Sequence, residues 1–209
     1  MENKRDLLVE ALKNLIPQKG YMNTTIDDIT KTANIAKGSF YTYFRNKDEV
    51  LDEIIAEKLD RIRRRHEEIL NAPGSLEDII GRVLDARIKN SGEEIKTEIA
   101  MMNVLQNMDV LSVNTRKLLV RRDELNMKFL QDLIVKFSDA VRIALQDVVK
   151  YARVIETLIA QLKMQDVYIT RKDGFSFERD VAVISERIRS ADIAGRMDFC
   201  KNVILKILR

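Results

Sequence analysis

Apolar residues recur through most of the chain at three- and four-residue intervals, the period of a helix that buries one face. Leu7, Leu8, Ala11, Leu12, Leu15 and Ile16 form one such stripe and predict a first helix, closed by Pro17 and Gly20. Thr24-Thr25 offers an N-cap before Ile26, Ile29 and Ala33, with Asp27 and Asp28 in the first turn, where the helix dipole favours acids. Asn34 follows, and Asn adopts the left-handed conformation more readily than other non-glycine residues, so a sharp turn is expected there. A third short helix is predicted from about Lys37 to Phe44. Asn46 with Glu49 reads as a capping-box variant that opens a long fourth helix, from Lys47 to about Leu70.

Asn71-Ala72-Pro73-Gly74 is the clearest break in the chain. Ser75 caps the next stripe, Leu76, Ile79, Ile80, Val83 and Leu84. Ser91-Gly92 breaks again before Ile95, Ile99, Met102 and Leu105. Helical spacing then runs from about Asn114 to Phe137 and from about Asp139 to Leu162. Val181, Ile184 and Ile188, then Met197, Cys200, Val203, Ile204 and Ile207, predict one or two last helices. The expectation is an all-α protein of about nine helices, divided into residues 1–47 and 48–209.

Composition narrows the function classes. With 7 Gly and 2 Pro in 209 residues the chain lacks the turns that a sandwich or barrel needs. One cysteine excludes a disulfide framework, and one histidine removes most zinc sites and nucleophile–histidine arrangements. No enzyme activity, cofactor or metal is therefore expected. The charged N-terminus is unlike a signal peptide, and no uncharged apolar run reaches the roughly 20 residues of a membrane span, so a soluble cytoplasmic protein with no membrane partner is expected. Residues 1–47 carry eight Lys and Arg against five Asp and Glu, whereas the remainder carries 28 of each. A basic head on a neutral body points to an anionic partner.

Two short helices joined by a tight turn behind a longer first helix make a helix-turn-helix, whose second helix enters the major groove of DNA. In that second helix Phe40 and Phe44 share one face and can anchor it, leaving Lys37, Ser39, Tyr41, Thr42 and Tyr43 outward. Hydroxyl and ammonium groups suit phosphate contacts, and Gly38 lets a backbone approach closely. A polar helical surface without a nucleic-acid partner is the plain alternative, but two outward tyrosines are hard to account for on it.

Gly20-Tyr21, Thr24-Thr25-Ile26-Asp27-Asp28-Ile29, Ile35-Ala36-Lys37-Gly38-Ser39-Phe40-Tyr41-Thr42-Tyr43-Phe44 and Lys47-Asp48-Glu49-Val50-Leu51 follow one family pattern without a gap. Over residues 8–51 the chain resembles the tetracycline-repressor (TetR) family of transcriptional regulators. The resemblance implies a three-helix DNA-binding domain and a larger helical domain for effector binding and dimerisation. It implies a homodimeric regulator, a repressor released from a near-palindromic double-stranded operator by a small-molecule effector. Thr25, Tyr41, Tyr43 and Lys47 are then expected at phosphates, Lys37, Gly38, Ser39 and Thr42 at base edges or in the groove, and Thr24 among the DNA-binding residues. Asn34 replaces the usual turn glycine, Thr30 a usual alanine, and Pro17 is expected to end or kink the first helix early. The fourth helix would run about 35 Å from the DNA to the C-terminal core, where a ligand that tilts it changes operator affinity. A hundredfold release requires the ligand to prefer the released state by about 2.7 kcal/mol. A helical partner-binding module, or a regulator with no effector, is the alternative.

In the C-terminal part, Met101, Met102, Leu105, Met108, Met127 and Phe129 are candidates for an effector pocket, because methionine adapts to irregular apolar ligands; plain core packing is the simpler reading. Arg61, Arg63, Arg64 and Arg65 read as an ion-paired solvated face through Glu57–Arg61, Asp60–Arg64 and Arg64–Glu68. His66 lacks metal-ligand spacing, and Cys200 reads as a buried small residue. Residues 140–164 and 192–209 have wider apolar faces than one chain can bury, which predicts a dimer through these helices.

Overall fold

Eight α-helices and two single 3₁₀ turns make up the regular structure in a computed structural model that describes residues 3–88, Val104, 108–164 and 192–209. The helices are α1 (Lys4–Lys19), α2 (Ile26–Thr32), α3 (Lys37–Tyr43), α4 (Lys47–Asn71), α5 (Leu76–Ile88), α6 (Val113–Lys136), α7 (Val148–Met164) and α8 (Ile193–Leu208). The all-α class with an N-terminal helix-turn-helix is as the pattern predicts.

Most helix starts are written in local chemistry. Asn3 Oδ1 accepts the N–H of Arg5 at 3.1 Å. Thr25 and Asp28 close a reciprocal capping box at α2, and Ser75 with Asp78 does the same at α5. Ser112 Oγ accepts the N–H of Thr115 at 3.0 Å ahead of α6, and Asp192 accepts that of Gly195 at 2.9 Å ahead of α8. At α4, Asn46 accepts the N–H of Glu49 at 3.0 Å while the Glu49 carboxylate accepts from Arg45, one residue before the expected partner.

Two expected boundaries differ. Pro17 lies inside α1, which runs on to Lys19. So close to the end, the missing N–H costs a single helical bond, and Gly20 N–H still reaches Ile16 O at 2.9 Å before the chain turns at φ 80°. Residues 139–144 are not helical, so α7 starts at Val148 behind the turn Leu145–Asp147. Val141 is held instead in the core, and the neighbouring Arg142 N–H donates to Leu208 O at 2.9 Å.

The chain divides into two compact units. Within the described residues the first comprises 3–59 and 108–121, the second 60–88, 122–164 and 192–209, so α4 and α6 each contribute to both. In the first unit α1 packs on α2 and α2 on α3 around Leu8, Leu12, Ile16, Tyr21, Ile29, Phe40 and Leu51, all fully buried. Each such apolar side chain contributes about 1.5–3 kcal/mol of burial. In the second, α5, α7 and α8 pack pairwise, and Ile79, Ile80, Leu84, Leu130, Leu133, Ala152, Ile155, Ile159 and Ile204 form a continuous apolar core.

Candidate nucleic-acid interface

The turn between α2 and α3 fixes the interface. Asn34 adopts φ 53°, the left-handed region the sequence predicts for it. Ile35 N–H donates to Thr30 O at 2.9 Å and Asn34 N–H to Lys31 O at 3.1 Å. These are the two bonds of a Schellman cap, which satisfies the last carbonyls of α2 and sends the chain off sharply. Ala36, in extended conformation, starts α3 without a side-chain cap, and Ser39 N–H donates back to its carbonyl at 2.8 Å. An ion pair between Lys37 Nζ and Asp27 Oδ1, 2.6 Å long, ties the first turn of α3 to that of α2. The hydrogen bond and charge of each partner hold Asp27 below the ordinary carboxylate range and raise Lys37.

Phe40 and Phe44 face inward, with ring centroids 5.9 Å apart. The Arg5 guanidinium lies 4.5 Å from the Phe44 ring centre, pairs with Glu53 and donates to Tyr43 O at 3.2 Å, so α1, the end of α3 and α4 are bound together. The opposite face of α3 meets solvent. Tyr41 is 56% exposed with its ring edge against Phe40, Thr42, Lys37 and Gly38 are exposed, and Ser39 and Tyr43 are half-exposed. The hydroxyls of Tyr41, Thr42 and Tyr43 have no hydrogen-bond partner among the described residues. Nothing approaches within 4 Å of the place where a side chain would stand on Gly38.

Three sequence candidates are engaged elsewhere. Thr24 is 1% exposed, its hydroxyl donating to Gly20 O at 2.8 Å, so its side chain cannot meet a phosphate from this position. Thr25 lies at the surface, but its hydroxyl and N–H are both committed to Asp28 in the capping box. Lys47 turns inward: Nζ donates to Tyr21 O at 2.9 Å and Thr24 O at 2.6 Å and lies 4.2 Å from the Tyr21 ring centre. Burial pushes its ammonium below the ordinary lysine range. Short polar residues just ahead of a helix serve as caps as readily as ligands, which is why sequence alone did not separate these roles.

Behind the interface, α4 presents two carboxylates four residues apart. The Tyr21 hydroxyl donates to Asp48, whose other oxygen accepts the N–H of Ser112 at 2.9 Å. Burial, with the Asp48 bond and charge, raises the Tyr21 phenol well above its ordinary range. Asp52 accepts from Asn114 Nδ2 at 2.7 Å and Thr115 Oγ1 at 2.6 Å. The helix-turn-helix is thereby pinned through α4 to the start of α6, a connection with no short-range signature in the sequence.

The pocket candidates scatter. Met101, Met102 and Leu105 lie outside the described residues. Met108 is half-buried in the 3₁₀ turn Met108–Val110 of the first unit. Met127 and Phe129 are buried in the core of the second, where the His66 ring stacks on Phe129 at 4.0 Å. Burial and the Arg87 charge lower His66 to about 4. Nearby, Arg87 holds Glu156 by two bonds of 2.6 and 2.7 Å, and Asn126 donates to the same carboxylate at 3.2 Å. The basic run of α4 is ion-paired with partners other than those predicted: Arg63 with Asp60 and Arg65 with Glu68, while Glu57 pairs with Lys13. Cys200 is buried, which pushes its thiol up. Among the described residues no three His, Cys, Asp or Glu are grouped to hold a metal, and no helix is long and apolar enough to cross a membrane.

Known proteins share this arrangement. Residues 3–54 match the family described as bacterial regulatory proteins, tetR family. The HTH-type transcriptional regulator YhgD of Bacillus subtilis, itself uncharacterised, is 30% identical over 119 residues, 51% of this chain and 62% of that protein. The HTH-type transcriptional repressor KstR2 of Mycolicibacterium smegmatis is 31% identical over 80 residues, 38% of this chain and 39% of that one. The chain thus spans less than two thirds of the length of these curated relatives. The fold is similar to that of reduced NemR from Escherichia coli, with a TM-score of 0.70 at 18% identity, over 99% of this chain and 98% of that one. With the gapless motif of residues 8–51 folded as a helix-turn-helix, residues 3–54 form a head that matches the tetR family of bacterial regulatory proteins in both sequence and fold.

Proposed function

We propose that the chain is a sequence-specific DNA-binding transcriptional regulator, a repressor that leaves a palindromic operator when a small molecule binds its C-terminal part. The observation that carries this reading is the outward face of α3: hydroxyls without partners among the described residues, a bare glycine and a lysine, on a helix anchored from behind by two phenylalanines. Tyr41 and Tyr43 suit phosphates, and Lys37, Gly38, Ser39 and Thr42 suit the groove. Residues 1–47 then read DNA, while 48–209 dimerise and take the effector. Because α4 and α6 contribute to both units, and Asp48 and Asp52 hold the start of α6, these two helices are the route by which effector binding would reach the head.

The dimer would form through α7 and α8. Ala152, Ile155, Ile159 and Ile204 are buried within the chain, which leaves Val149, Val154 and Phe199 outward, the last 70% exposed. Phe199 escaped the sequence pattern because it falls on the face opposite Met197 and Cys200. Residues 140–144 contribute no helix to it.

The test is binding of the full chain to duplex DNA flanking its own gene across a salt series, with Tyr43→Ala alongside. Tight binding with a steep salt slope, weakened about tenfold or more in the variant, supports the reading. Binding that excess random-sequence competitor abolishes contradicts it.

A further inference from the structure

The bend after α3 and the first turn of α4 hold two cations two positions apart, Arg45 and Lys47, in opposite situations. Lys47 has three N–H donors, of which two are engaged by carbonyl oxygens, and a tyrosine ring covers the group. Drawing the ammonium out to a phosphate would take its bond from Thr24 O and leave Tyr21 O, between α1 and α2, with the N–H of Thr24 at 3.1 Å as its remaining donor. Arg45 is the reverse. Its side chain is 90% exposed, and among the described residues its guanidinium comes no nearer to a carboxylate than 3.9 Å, at Glu49. A pair so open to water is worth little and is readily exchanged. Its backbone, by contrast, is tethered, because Arg45 N–H donates to Glu49 Oε2 at 2.7 Å. A guanidinium with five donors stands on this tethered bend two residues after Tyr43, and its planar fork matches a phosphate.

We infer that Arg45, rather than Lys47, supplies the phosphate-binding cation at the C-terminal end of the recognition helix, while Lys47 holds the α1–α2 connection in place. This rests on the DNA-binding reading above. It assigns the positive charge of this corner to a residue between two of the motif's quoted pieces, after Phe44 and before Lys47, and gives the motif lysine a positioning role.

The experiment measures affinity of the full chain for a random-sequence duplex of about 25 base pairs between about 50 and 200 mM salt, where phosphate contacts supply nearly all of the binding. Removing one phosphate-binding cation lowers the salt slope by about 0.9 per bound protomer, so the fall in affinity across that range shrinks by a factor of about 3. Arg45→Ala is expected to show this decrease and Arg45→Lys to restore the slope. Lys47→Met is expected to keep the wild-type slope but unfold at a lower temperature. An unchanged slope in Arg45→Ala, or an equal decrease in Lys47→Met, overturns the inference while wild-type binding leaves the DNA-binding reading intact. No binding by the folded wild type overturns both. If Lys47→Met does not fold, Arg45→Ala alone decides.

Discussion

Asn34 shows how much a single residue sets in this protein. Its φ of 53° turns the chain from α2 into α3, and the Schellman bonds to Thr30 and Lys31 depend on that turn. Glycine reaches this conformation without a steric penalty, whereas a β-branched side chain meets its own backbone. Asn34→Gly should hold or slightly raise the urea midpoint, and Asn34→Val should lower stability by about 1–2 kcal/mol. Equal midpoints for the two would show that the turn does not need the left-handed residue. Asn34 was legible from sequence because its constraint is local. Thr24 and Lys47 were not: whether a threonine or lysine faces outward depends on which carbonyls stand nearby after folding, here those of Gly20 and Tyr21. The motif places these side chains at the right positions in the chain without giving their partners in space.

The helices themselves were largely legible, through apolar period, caps and the break at Pro73-Gly74. Where reading failed, a tertiary contact outweighed the local signal: α1 carries Pro17 because Leu15 and Ile16 are buried around it, and Val141 leaves the helical pattern to fill the core. The packing of α4 on α6 in the second unit likewise brings His66 against Phe129, near the Arg87–Glu156 pair that joins α5 to α7. His66 titrates near 4 when folded, against an ordinary 6.5. Above pH 6.5 the ring is neutral in both states and adds no pH dependence. Between 6.5 and about 4 the unfolded chain takes up a proton that the folded chain refuses, so stability falls as pH falls, and the loss is complete below 4. His66→Phe should therefore lose less stability than wild type between pH 7.5 and 5, by about 1 kcal/mol after allowance for the ring's partial exposure. Urea titrations at the two values measure it, and parallel losses in both proteins would contradict the assignment.

For the whole molecule, what the sequence carried best is the head: a gapless motif, a net positive charge on residues 1–47 and an outward polar face on α3. Least legible was how the rest is joined to it, because Asp48, Asp52, Ser112 and Thr115 meet across more than sixty positions. A DNA-reading helix carried on the proposed two-fold dimer would read two half-sites of one palindrome, with centres about one helical turn apart. The most direct test is selection of bound duplexes from a random-sequence pool by the full chain. The predicted result is enrichment of one inverted repeat with that spacing, bound by two protomers. Recovery of duplexes without a shared motif, from a folded protein at physiological salt, would contradict the central claim.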